Sequence, residues 1–152
     1  MNDAFDPALR ALARHFGLDG LTLDHQGATA LSFDDGLRLT LRLRSEPRPR
    51  ALAVIDLPRP PDRGFVEAAE AMLRLNGRLF DSQGASFALD PRSESVLVLM
   101  PFEQSQLEPE LWPTFIEHLV ATARTWREQL LRGEPPQGFE AAVEAALDHL
   151  EA

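Results

Sequence analysis

The order in which helical and strand periodicities follow one another limits the possible folds of this chain more than any single motif does. Leu9, Leu12, Ala13 and Phe16 recur at helical spacing, with Phe5 extending the stripe. Three strand-like stretches follow, then a helix ending in LRLNGRLF, two more strand-like stretches (SFALDP and SVLVLMPFE), and a helix holding both tryptophans. The order α-β-β-β-α-β-β-α predicts an α+β fold, a twisted antiparallel sheet flanked by helices. At 152 residues, one domain able to bury roughly two-thirds of its unfolded surface is expected. We expect that domain over 1–132, with a linker and a short amphipathic helix over 133–152.

Local signals sharpen the order. Asp6 followed by Pro7 reads as a helix start, and Gly17 as its stop. The stretch from Leu21 to Ser45 reads as β structure, with a hairpin turn at Asp34-Asp35-Gly36. Leu37, Leu39, Leu41 and Leu43 alternate strictly with Arg38, Thr40, Arg42 and Arg44, so one strand face is apolar and the other cationic. ALAVIDL and SVLVLMPF are apolar on both faces, which calls for cover on two sides, by helices or by a partner chain. Asp62 is placed to cap a second helix closing near Asn76-Gly77, its apolar arc too broad for a single contact. In the last long helix Trp112, Ile116, Leu119, Ala123, Trp126 and Leu130 form one stripe, with Pro113 in the first turn. Phe139, Val143, Leu147 and Leu150 share one face of the terminal segment.

Charge and composition exclude several functions. The net charge of −9 opposes non-specific nucleic-acid binding, which needs a cationic footprint. The acidity is uneven: Arg38 to Arg63 is locally cationic, while Pro101 to Leu119 and the residues after Gly133 hold acids without arginine. All 15 basic residues are arginine, so a lysine nucleophile or Schiff base is excluded. With no cysteine, disulfides, thiolate metal sites and cysteine catalysis are excluded too. The start of the chain lacks signal-peptide form and no stretch is long enough to span a bilayer, so a cytoplasmic protein acting without a membrane is expected.

Catalytic chemistry is not evident. His15, His25, His118 and His149 stand outside metal-ligand spacing of one another, and Glu117-His118 lacks the rest of a zinc motif. Asp34 and Asp35 are adjacent carboxylates, but a tight turn asks for those residues on backbone grounds. No serine sits in a nucleophile motif, and Asp81-Ser82-Gln83-Gly84 lacks the lysine and spacing of a phosphate loop. A binding protein without enzymatic activity, cofactor or metal is expected.

The ordered pattern resembles the small acidic chaperones of bacterial type III secretion, the effector-specific CesT/Tir-chaperone class. The likeness runs from about Asp6 to Leu131 and is carried by LARHFGLDGLTLD, ALSFDDGLRLTLRL, ALAVIDLP, AMLRLNGRLFDSQGASFALDP, SVLVLMPFE and FIEHLVATARTWREQL. The resemblance implies a homodimer without ATPase activity. It would bind the N-terminal segment of a secreted effector, hold it non-globular and soluble, and keep it competent for export. The secretion ATPase is a further candidate partner. Carried onto this chain, the effector-binding residues are Leu9, Leu12, Phe16, Leu31, Phe33, Leu39 and Leu41. The dimer residues are Phe65, Val66, Ala69, Met72 and Leu73, with Val98 and Met100 behind them. For each of these, plain core packing is the competing expectation. A regulatory scaffold or a toxin-immunity protein gripping a folded partner is the alternative function. Two departures stand out: the extension 133–152 and the arginine-rich part of the sheet.

Overall fold

The computed structural model describes residues 3–79 and 85–136. Helix α1 (Asp6–His15) follows a single 3-10 turn over Asp3–Phe5. Strands β1 (Ala28–Ser32), β2 (Arg38–Arg44) and β3 (Arg50–Leu57) come next, then α2 (Asp62–Leu79), β4 (Ser86–Leu89), β5 (Val96–Glu103) and α3 (Trp112–Leu131). The five strands form one antiparallel sheet in the order β1-β2-β3-β5-β4. This is the expected α+β order. The helix expected over Phe139 to Leu150 and the turn at Asp81 to Gly84 lie outside the described residues.

Register converts the alternation read in the sequence into two sheet faces. Leu31, Leu39, Ile55, Val98 and Phe87 form a row of register partners crossing all five strands, and every one of them is buried. Against this face lie Phe5 just before α1, Leu9 and Leu12 from α1, Ala68 and Met72 from α2, and the α3 stripe from Trp112 to Leu130, all in one continuous core. The opposite row is Ala30, Thr40, Val54, Leu99 and Ser86. Its neighbours Leu52, Leu97 and Pro101 stay half-exposed, and no described helix covers this side.

Two sequence expectations are corrected. Asp6 is the first helical residue, the cap position belongs to Phe5, and no side chain caps the end. The end is held instead by burial of Phe5 edge-on to Trp112, ring centroids 6.0 Å apart. The β structure expected from Leu21 begins only at Ala28. The Asp24 carboxylate accepts the backbone N–H groups of Gln26 and Ala28 at 2.8 and 2.9 Å, a local turn that competes with a strand ladder. These bonds hold the Asp24 carboxyl below its usual pKa.

The ends of α3 are fixed by specific contacts. Pro113 sits in the first turn, where its missing N–H costs nothing, and the Trp112 indole donates to the Leu107 carbonyl at 3.2 Å. At the other end Gly133 adopts a positive φ of 74° and lies against Gly64 of α2. A Cβ at Gly64 would stand 2.4 Å from the Gly133 carbonyl oxygen, so only glycine permits this helix-to-helix approach.

Candidate functional site

The sheet has two edges, and the chain treats them differently. At the β4 edge the Asn76 side chain, from α2, accepts the Phe87 N–H at 2.8 Å and donates to the Phe87 carbonyl at 2.9 Å. One amide thus takes up both outward backbone groups of Phe87. At the β1 edge the bonds from Phe33 N–H to the Leu37 carbonyl and from Leu43 N–H to the Gly27 carbonyl set the phase of the ladder. In an antiparallel pair alternate residues turn both backbone groups to the partner strand. Gly27, Thr29, Leu31 and Phe33 therefore face β2, while Ala28, Ala30 and Ser32 turn outward. Asp24 satisfies both groups of Ala28. Among the described residues, nothing engages the outward backbone groups of Ala30 and Ser32.

Beside this open edge lies an aromatic pair. Phe16, just past α1, meets Phe33 edge-to-face at 5.8 Å, and both are half-buried. Arg124 of α3 stands over the Phe33 ring at 5.7 Å. The hairpin turn carrying Phe33 is tied to α3 through Asp35, whose carboxylate accepts from Arg124 and Arg127, each at 2.8 Å. Those hydrogen bonds, that of Arg127 first, lower the Asp35 pKa to about 2. The pair and the edge are thereby held in a fixed relation to the long helix. Leu18 is also exposed here, and its backbone N–H closes the α1 terminus on the Ala13 carbonyl at 2.8 Å.

Of the seven residues expected to form a groove, Leu9, Leu12, Leu31, Leu39 and Leu41 are buried in the core of the single chain. Only Phe16 and Phe33 reach the surface. The sequence showed two faces on β2 without showing which one α1 and α3 cover. The expected dimer residues divide in the same way. Val66 and Leu73 are 65% and 69% exposed on α2, with Phe65 and Ala69 half-buried beside them. Met72, Val98 and Met100 are core: the even-numbered residues of β5 point at the helices, while Leu97 and Leu99 take the open face. Phe65 lies under the Arg59 guanidinium at 4.4 Å, which in turn pairs with Asp62 at 2.8 Å. The sequence reading missed the Asn76 clamp and the two outward positions of β1. An asparagine three residues from the apolar Leu73 was the only trace of the clamp.

Among the described residues no group of three or more His, Asp and Glu is arranged to hold a metal ion, and no helix is long and apolar enough to cross a membrane. The arrangement offers backbone hydrogen bonds and apolar surface, which suits polypeptide capture.

Comparison with known proteins bears on the same architecture. A search of curated proteins gives no match. A chain of the ExsC–ExsE complex superposes with a TM-score of 0.69 at 23% identity, covering 86% of this chain and 96% of that one. A chain of the HopA1–SchA chaperone–effector complex gives 0.65 at 20% identity, covering 82% and 94%. A chain of the ExoT–SpcS complex from Pseudomonas aeruginosa gives 0.54 at 20%, covering 82% and 97%. At such identities the likeness establishes the fold. The family assignment rests on sequence: residues 7–127, from the start of α1 into the last turns of α3, match a single family model. This chain belongs to the Tir chaperone protein (CesT) family.

Proposed function

We propose that this protein is a non-enzymatic, dimeric cytoplasmic chaperone of bacterial type III secretion, which binds the N-terminal segment of a secreted effector as extended chain and keeps it export-competent. The observation carrying this reading is the asymmetry of the sheet edges. A strand edge with open outward groups beside a half-buried aromatic pair that reaches the surface, in a molecule that engages Phe87 of its other edge through Asn76, suits addition of a strand from a partner. The outward groups of Ala30 and Ser32 would supply main-chain bonds, and Phe16 and Phe33 the adjoining apolar contact. Family membership and the chaperone–effector complex among the fold relatives support it. A second copy is the proposed cover for Phe65, Val66, Ala69 and Leu73 on α2.

The test is coexpression with secreted proteins encoded beside this chain, scoring which becomes soluble and is captured. Ala30→Pro removes an outward N–H without touching the β1–β2 ladder, and proline is tolerated on an edge strand at such a position. The variant is expected to unfold at nearly the wild-type midpoint while losing most client capture. Undiminished capture would rule out strand addition at β1. Protease footprinting of the complex then separates two kinds of partner: a protected extended segment fits a chaperone, whereas a protected globular domain fits a scaffold or immunity protein.

A further inference from the structure

The open face of the sheet is not uniform. At the end where β3 begins it holds a cleft of about 720 Å³. Leu52 and Pro101 form its apolar floor, and Arg42, Arg44 and Arg50 its rim. We propose that this cleft is a docking site for an acidic polypeptide segment with apolar residues between its carboxylates. The inference deepens the chaperone reading, on which it rests for the source of that segment, the client.

Charge pairing carries the argument. Several arginines elsewhere on the surface have carboxylate neighbours. Arg38 stands opposite Asp56 in the ladder, Arg59 pairs with Asp62 and Glu94, and Arg124 and Arg127 share Asp35. At the cleft arginines also crowd one another. Arg44 is the register partner of Arg50, and like charges directly opposite on a strand pair are destabilising. The one acid of the lining, Glu103, stands opposite Arg50 in the ladder, but its carboxylate pairs at 3.0 Å with Arg48 from outside the cleft. Asp24 spends its carboxylate on two backbone N–H groups. Arg44 is steered by a 2.8 Å bond to the Gln26 carbonyl, which orients the guanidinium without neutralising it. Among the described residues neither Arg42 nor Arg50 has an ion-pair partner.

A chain of net charge −9 that nonetheless gathers three cations around an apolar floor is complementary to an anion with greasy neighbours. Each guanidinium presents a planar fork matched to a carboxylate, and such charge-assisted bonds exceed neutral ones in strength. Leu52 and Pro101 then favour a segment with an apolar side chain between acids. A nucleic acid fits less well, since its affinity comes from a broad cationic footprint that this acidic molecule lacks.

The test uses the full chain and a short fluorescein-labelled peptide alternating Glu and Leu, compared by anisotropy with the same peptide carrying Gln for Glu. At low salt the acidic peptide is expected to bind at least about tenfold more tightly, with the margin shrinking as salt screens it. Arg42→Glu/Arg50→Glu should abolish the preference and Arg42→Gln/Arg50→Gln reduce it, both with cooperative unfolding at midpoints near wild type. Equal affinity for the two peptides, wild-type binding by either double variant, or tighter binding of a single-stranded oligonucleotide would overturn the proposal. Failure of client capture in coexpression, with acidic-peptide binding intact, counts against the chaperone reading alone.

Discussion

β4 and β1 are both edge strands of the same sheet, yet a single amide engages the middle of one while the middle of the other is left open. At β4, Asn76 reaches from α2 and takes both backbone groups of Phe87. At β1, Asp24 closes only the first residue, and Ala30 and Ser32 keep their outward groups. An exposed edge is a pairing template, and proteins normally blunt it. The contrast shows that one side chain is enough to occupy an edge position, and the proposed strand addition rests on the positions of β1 that no side chain occupies. It also explains why α2 closes against β4 with its small and apolar inner residues while Val66 and Leu73 point away.

The comparison can be broken in several ways. The largest effect is expected from Leu73→Asp combined with Val66→Asp on the exposed face of α2. Light scattering of the wild type should give about twice the 16.9 kDa chain mass, and the variant the single mass. A wild-type monomer at micromolar concentration would remove the second copy from the proposal.

Next is Asn76→Leu, which strips the two part-buried hydrogen bonds to Phe87. Urea unfolding is expected to show a loss of about 2 kcal/mol, with increased aggregation through β4. Asn76→Asp retains the acceptor and should lose less. Equal stability of Asn76→Leu and wild type would mean that the clamp is not what closes this edge.

The smallest effect is expected at Asp35, which ties the hairpin beside the open edge to α3. Its folded pKa, about 2, lies below the ordinary 3.8. Its contribution is therefore present in full above pH ~3.8 and fades as pH falls towards 2. Asp35→Asn should be slightly less stable than wild type at neutral pH, and the two should converge near pH 2 in thermal scans. A gap that persists in acid would assign the effect to the turn backbone instead of the arginine contacts.

Much of this was legible before any coordinates. The strict alternation from Leu37 to Arg44 announced a two-faced strand, and the Asp34-Asp35-Gly36 turn fixed its partner, because side chains on a strand can only alternate. The stripe from Trp112 to Leu130 is buried throughout, as its spacing required. Less was legible at the candidate site. Leu39 and Leu41 were as apolar as Phe33, and nothing local said that α1 and α3 would bury the first two and leave the third at the rim. β5 was apolar on both sides, so Val98 and Leu97 were interchangeable until helices chose a face.

The sequence by itself determined the elements, their order, and the exclusion of thiol and lysine chemistry, since these follow from residue identity and short-range periodicity. Only the tertiary structure decided which face of the sheet is covered, which edge Asn76 engages, and that Arg44 comes to stand beside Arg50. Those outcomes depend on groups distant in sequence meeting in space. Burial and charge pairing belong to such meetings, not to any residue alone.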